Sequence, residues 1–367
     1  MATDPARRQI LARLAALGCG LGGGLSGGLG FASLVHASVH PTSGTVRLAA
    51  AWQRGSAHQI GILNTSDSLT IAAAIDVPTR AHALLQLSNQ TLLAVARRPG
   101  HWLLRWSEQG EALAWKWIEP GRAFTGHAVS DGQRLYVAET NLETGAGLIG
   151  VRDLTTLEKL AEWPTHGIDP HQIVFDAEGH LMVANGGVPT RPETGRAKLD
   201  LSRMDSSLVR LHSQTGALLE QWRLADPRLS MRHLAWHGQG AEAVLGIALQ
   251  AEHDDPVRRQ VAPVLAFFEH GHLSLAETVQ LQGYGGSIVA TEDGFAVSCP
   301  RAHAIVRFDR TGRLRDLHSL AEACALDVHA GALWAGGLSG VQAIPGATHP
   351  LPLAGLRLDN HWLILES

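Results

Sequence analysis

The sequence predicts an all-β chain closed into a seven-bladed β-propeller, and three observations carry that prediction. Beyond residue 45 the chain is a succession of short apolar or alternating runs broken by Gly, Asp, Asn and Pro, without a long amphipathic helix. The runs group into units of about 40–60 residues with four strands each, which is the spacing of propeller blades. The two ends are incomplete in complementary ways: three strands follow the N-terminal segment, and a lone strand, "HWLIL" (361–365), has no partners of its own.

The first 37 residues read as an export signal. Arg7-Arg8 precede an apolar, Gly-rich stretch from Ile10 to Val35, and Val35-His36-Ala37 offers a small-residue cleavage site. "ARRQIL" has the form of a twin-arginine signal. A retained membrane anchor competes, but its glycines make a weak span. A lipoprotein site at Gly18-Cys19 would leave a very short apolar run before it. The expectation is a cleaved signal, one propeller domain over 45–367, a periplasmic monomer, and no stable membrane insertion after cleavage.

Blade 1 takes strands near 46–52, 59–63 and 69–76, and receives 361–365 as its innermost strand, so that the ring closes without an exposed edge. Blade 2 runs over 82–119 and blade 3 over 127–164. Blade 4 begins at His171, with strands near 172–175, 180–184, 208–212 and 218–224. Blades 5, 6 and 7 begin at His233, Ser287 and about Cys324. The tryptophans fall mostly within strands and suit packing between blades.

This frame gives meaning to the 20 histidines. His361, His82, His127, His171 and His233 each precede a short apolar run, at the entry to the innermost strand of five consecutive blades. They therefore meet at one mouth of the central channel. The second strand of each blade ends on the same face, which brings Arg97, Glu139, Asn141, Asn185, Gln250 and Arg301 to the rim, with Asp169 beside His171. Long loops over 185–207 and 250–262 leave from these ends, the usual place for function on a rigid scaffold.

Several converging neutral imidazoles can hold a transition metal such as iron, copper or zinc. His82, His127, His171, His233 and His361 are the candidate ligands, Glu139, Asp169 and Cys324 offer further donor atoms, and the rim residues would orient the ligands. The competing structural reading ties each histidine to its own blade by hydrogen bonds. A second reading is an enzyme of lactonase, lyase or redox type, with Glu139, Asp169 and His171 as acid and base and Arg97 and Arg301 holding a carboxylate. Against it, the chain lacks a G-x-S-x-G elbow, a Gly-rich phosphate loop and a haem-attaching C-x-x-C-H. A third reading is a protein-docking platform built on the polar stretch 185–211, although Asp200–Ser207 also suits a capped helical turn. With 30 basic against 34 acidic residues and no basic patch, nucleic acid is excluded as a partner. Cys299 and Cys324 fall on adjacent blades and admit a disulfide, two buried thiols, or metal ligation.

The stretches "GHAVSDGQRLYVAETNLETGAGLIGVRD", "PTHGIDPHQIVFDAEGHLMVANGGVPTRPETGRAKLDLSRMDSSLV" and "LSMRHLAW" resemble the bacterial family catalogued as domain of unknown function 1513. The resemblance covers most of the chain after the signal. It implies a twin-arginine-exported periplasmic propeller that accompanies iron-uptake proteins, hence a role in metal acquisition and periplasmic metal-uptake proteins as partners. It supplies no catalytic residues.

Overall fold

Strands of four to ten residues dominate the chain; the second and third of each blade are mostly buried along their length between neighbouring blades, and alternating burial is confined mainly to outermost strands such as 112–117 and 159–168. A computed structural model describes residues 45–87, 90–190, 200–345, 349–353 and 355–365. The expected export segment, 1–37, lies outside the described residues. Among the described residues no helix is long and apolar enough to cross a membrane.

Seven antiparallel sheets form the blades. Blade 1 contains β1 (Arg47–Arg54), β2 (Ala57–Thr65) and β3 (Leu69–Val77), and its innermost strand is the last of the chain, β27 (Arg357–Leu365). Blade 2 is β4 (Ala81–Gln86) to β7 (Ala112–Trp117), and blade 3 is β8 (Arg122–Ser130) to β11 (Lys159–Ile168). Blade 4 is β12 (Pro170–Phe175) to β15 (Leu218–Trp222), and blade 5 is β16 (Leu229–His237) to β19 (His272–Leu275). Blade 6 is β20 (Ser287–Thr291) to β23 (Leu314–Ser319). Blade 7 pairs β24 (Ala325–His329), β25 (Ala332–Gly337) and β26 (Gly340–Ile344), with a single bridge from Val341 to Leu351 in the fourth-strand position. The seven-bladed ring and its one-plus-three closure are as expected.

Closure is specific. β27 pairs with β1 from Arg47–Leu365 to Gln53–Arg357. Across the seam, Asp327 of blade 7 accepts a hydrogen bond from the Ile364 N–H at 2.7 Å. Trp362 packs against Gly336 so closely that a Cβ there would lie 2.4 Å from the indole. Between blades, apolar clusters fill the wedge; Trp52, Trp102 and Trp106 are fully buried in them. Trp115 and Trp117, on the outermost strand of blade 2, are exposed and stacked on each other instead.

A short helical turn stands in the described part of each long loop. Asp200 caps a 3-10 turn over 201–203 by accepting from the Ser202 N–H, and Asp255 caps α1 (Pro256–Val261), with Pro256 in its first turn.

Candidate metal centre

Every site histidine sits in a β-bulge of an innermost strand. In β4, His82 and Ala83 oppose Val95 alone; in β12, His171 and Gln172 oppose Ala184; in β16, Arg232 and His233 oppose Ala248. In β8, Thr125, Gly126 and His127 oppose Ala138, and in β27, Asp359, Asn360 and His361 oppose Ala51. The innermost strands of blades 6 and 7 pair in unbroken register, and they carry no histidine at this level. An extra residue bends and twists the strand locally, which re-aims its side chain. The recurring bulge is thus the local cause of five imidazoles turning toward one axis. It also shifts strand starts: β8, β16 and β27 begin before their histidines rather than at them.

The five rings form a closed but strongly puckered pentagon, whose cross-ring centroids lie only 5.1 Å (His127–His233), 5.4 Å (His127–His361), 5.7 Å (His82–His171) and 6.4 Å (His82–His233) apart. Successive centroids are 4.6 Å (His361–His82), 4.8 Å (His82–His127), 4.7 Å (His127–His171), 4.7 Å (His171–His233) and 4.7 Å (His233–His361) apart. The two blades without a histidine open no gap. Nε2 of His171 and Nε2 of His233 are 3.3 Å apart. Four of the rings are buried and His361 is half-buried. Gly126, at φ +114°, permits this packing, because a Cβ there would lie 2.5 Å from the His82 ring.

Electrostatics hold the pentagon neutral. Burial, first, and then the neighbouring imidazoles push the pKa of His82, His127, His171 and His233 well below the usual 6.5. Burial lowers His361 to about 4, with the Asp359 carboxylate opposing the fall. The blade-internal hydrogen bonds that would make these histidines structural are largely missing. Nδ1 of His82, Nε2 of His127, Nδ1 of His171 and Nε2 of His361 are buried without a hydrogen-bond partner. Unpartnered buried polar atoms are rare, and a cluster of them invites a ligand. Two triads, His82–His127–His361 and His127–His171–His233, bring one ligand atom from each member within 4.8 Å of the others, and His127 belongs to both. The described histidines can thus hold a metal ion.

Two carboxylates flank the pentagon at matching positions, Asp169 two residues before His171 and Asp359 two before His361. Among the described residues, neither carboxylate hydrogen-bonds to a pentagon histidine. The adjacent Arg97 and Arg98 divide between them: Arg98 pairs with Asp169, and Arg97 stands 4.0 Å from Asp359. Arg232 completes the first group at 2.7 Å from Asp169, and Arg80 completes the second with contacts of 2.5 and 2.9 Å to Asp359. Guanidinium charge beside the rings further disfavours imidazolium. A Cβ at Gly186 would meet both Arg232 and Asp169 at 2.7 Å, so the backbone there passes directly against the ion pair.

Beside this group opens a cleft of about 770 Å³, lined by Arg98, Asn141, Asp169, Gln250, Tyr284 and Arg301 among others. Asn141 caps its own turn through the N–H groups of Glu143 and Thr144, Gln250 donates to the Gly285 carbonyl, and Arg301 lies over the Tyr284 ring at 4.2 Å.

Two expectations need correction. Glu139 is not at the rim: it is fully buried inside blade 3, where Arg152 and Lys159 bind its carboxylate at 2.8 and 2.7 Å. Asn185 is also fully buried, its amide donating to the Thr165 carbonyl and the Ser207 hydroxyl. Of the readings open for Cys299 and Cys324, the one with free thiols holds. Cys299 points into the apolar cluster of blade 6, whereas Cys324 is turned toward the Gly286 carbonyl. Burial raises both thiols, Cys324 to about 12. Arg98, Arg232, Asp359 and Gly126 went unassigned in the sequence reading. The repeated Asp-x-His spacing at 169–171 and 359–361, and Arg232 immediately before His233, were the signals for two of them, Asp359 and Arg232.

A family model described as "Protein of unknown function (DUF1513)" matches residues 75–365. No curated protein matches the sequence. Among solved structures, the chain is similar to one in a nidogen/laminin complex, at 12% identity and TM-score 0.51, over 88% of this chain and 99% of that one. It is also similar to a protein of unknown function from Bacteroides caccae, at 12% identity and TM-score 0.47, over 75% and 93% of the two chains. Sqt1 of Saccharomyces cerevisiae is similar at 11% identity and TM-score 0.48, over 85% and 82%. At these identities the likeness concerns the fold alone.

Proposed function

This chain belongs to the family described as Protein of unknown function (DUF1513), and we propose that it binds a transition metal at its histidine pentagon, as a non-enzymatic accessory of iron or other metal acquisition in the periplasm. One observation carries the reading: five neutral imidazoles, four with an unpartnered ring nitrogen, converge on one axis from five blades. Neutral imidazole is a ligand of zinc, copper and iron. In a tetrahedral site with bonds of about 2.0–2.1 Å, neighbouring ligand nitrogens stand about 3.3–3.4 Å apart. The 3.3 Å between Nε2 of His171 and Nε2 of His233 already matches that edge. The export-type pattern of residues 1–37 supports a periplasmic setting, and the deep burial of the rings suits retention of an ion better than turnover. Arg98 and Arg232, beside the pentagon, would orient its surroundings through Asp169.

The test is elemental analysis of the protein expressed with its N-terminal segment, compared with His127→Ala/His171→Ala. Metal in the first and little in the second is expected; equal content rejects these two residues as ligands. A hydrolase and lactonase screen on the metal-loaded protein should show no turnover, and activity lost in the double variant would favour the enzyme reading.

A further inference from the structure

The cleft beside the pentagon has a chemistry of its own. Four guanidinium groups line it, Arg98, Arg203, Arg232 and Arg301, against three carboxylates, Asp169, Glu143 and Glu252. Asp169 is already shared by Arg98 and Arg232, and Glu252 has an interaction of its own. Among the described residues no carboxylate pairs with Arg301, whose guanidinium lies over Tyr284 and keeps its N–H edge open. At the floor, Nη1 of Arg232 and Oδ2 of Asp169 meet as an ion pair without hydrogen-bond geometry, while the hydroxyl of Thr125, 4% exposed, and Nε of Arg232, 1% exposed, lack a hydrogen-bond partner. Such groups normally find an acceptor. The volume, about 770 Å³, is that of a small-molecule site.

We propose that this cleft binds a small multivalent oxyanion, whose carboxylate or phosphate oxygens are received by Arg98 and Arg232 at the floor and by Arg301 at the rim, with Thr125 donating its hydroxyl. The site stands on these residues and not on the metal reading. The guanidinium forks supply paired N–H donors for planar or tetrahedral oxyanions, and a partly desolvated setting strengthens them. Asp169 competes with the ligand, holding both floor arginines in place while the cleft is empty of anion.

Calorimetric titration of the full chain at low salt, with citrate in one arm and inorganic phosphate in the other, tests the site. Saturable one-to-one binding of at least one anion is expected, and the arm that binds identifies an organic polyacid or a phosphoryl group as the source. Arg301→Gln, an exposed substitution that spares the core, should weaken binding about tenfold or more, as should Arg98→Gln. Asp169→Asn keeps shape, tolerates the positive φ of this position, and should tighten binding by removing the competing charge. No saturable binding of either anion overturns the proposal, as do wild-type affinities in both arginine variants or in Asp169→Asn. The His127→Ala/His171→Ala variant should bind the anion like wild type, which separates failure here from failure of the metal reading.

Discussion

Nε2 of His171 faces Nε2 of His233 at 3.3 Å, across the boundary between two blades. The contact is favourable only while one nitrogen keeps its lone pair. A second proton would set two N–H groups against each other in a buried site, beside the charge of Arg232. This contact, with the burial and mutual repulsion that disfavour protonation of the neighbouring rings, fixes how the protein responds to acid.

Acid should therefore destabilise the protein early. Above about pH 6.5 the histidines are neutral in both folded and unfolded chains, and the pentagon adds no pH dependence. Below that value the unfolded chain takes up protons while the folded rings, held well below 6.5, do not. Unfolding is then favoured by up to about tenfold per pH unit for each histidine, until the folded values are reached, about 4 for His361. Denaturant midpoints measured from pH 8 to pH 5 should fall, and His→Gln replacements in the pentagon should flatten the fall. A flat profile would mean the rings are accessible to protons.

The five ligands should not be equivalent. His127 belongs to both triads, whereas His82 and His361 serve one, and His171 and His233 the other. Loss of an orienting neighbour typically costs 10–100-fold in metal affinity, so loss of the shared ligand should exceed about 100-fold. His127→Ala should thus weaken metal binding more than His82→Ala or His233→Ala, as read by competitive chelator titration at pH 7.5. Equal effects would indicate a single site using all five.

Gly126 should be a sensitive structural position. Alanine there would be strained at φ +114° and would meet the His82 ring at 2.5 Å. We expect Gly126→Ala to cost about 1–3 kcal/mol, measured by denaturant unfolding. Because the clash falls on His82, any metal held by His82, His127 and His361 should be lost before metal held by the opposite triad.

Glu139 should matter to stability and not to the site. Its carboxylate, fully buried, neutralises Arg152, also fully buried, and Lys159. Glu139→Ala leaves that positive charge less compensated and should cost about 3–5 kcal/mol, while Glu119, held down to about 2 by Arg152 and Lys159, keeps part of the network. Metal content per folded protein should be unchanged. Loss of metal at retained stability would return Glu139 to the list of site residues.

The ring, its closure and the five histidines were legible because each leaves a local trace: alternating runs, a stranded C-terminal strand, and an imidazole before an apolar stretch. The bulges were not, since two-against-one pairing exists only once two strands are placed side by side. The same blindness misdirected Glu139. Strand side chains alternate by one residue, so the neighbour of Ala138, which opposes the His127 bulge, points into the blade. Asn185 ends its strand at the expected face, yet its amide turns inward to the Thr165 carbonyl. Asp359 carried a readable spacing to His361, but only the folded ring shows Arg97 and Arg98 splitting between it and Asp169.

The strand that seals the wheel, β27, also delivers His361. Latching the circle and finishing the pentagon are thus a single event, and an open wheel would lack one corner of its donor set. An ion held by His82, His127 and His361 would draw the latch closed, whereas one held by His127, His171 and His233 would leave it untouched, so only the first placement would tie capture to the integrity of the whole circle.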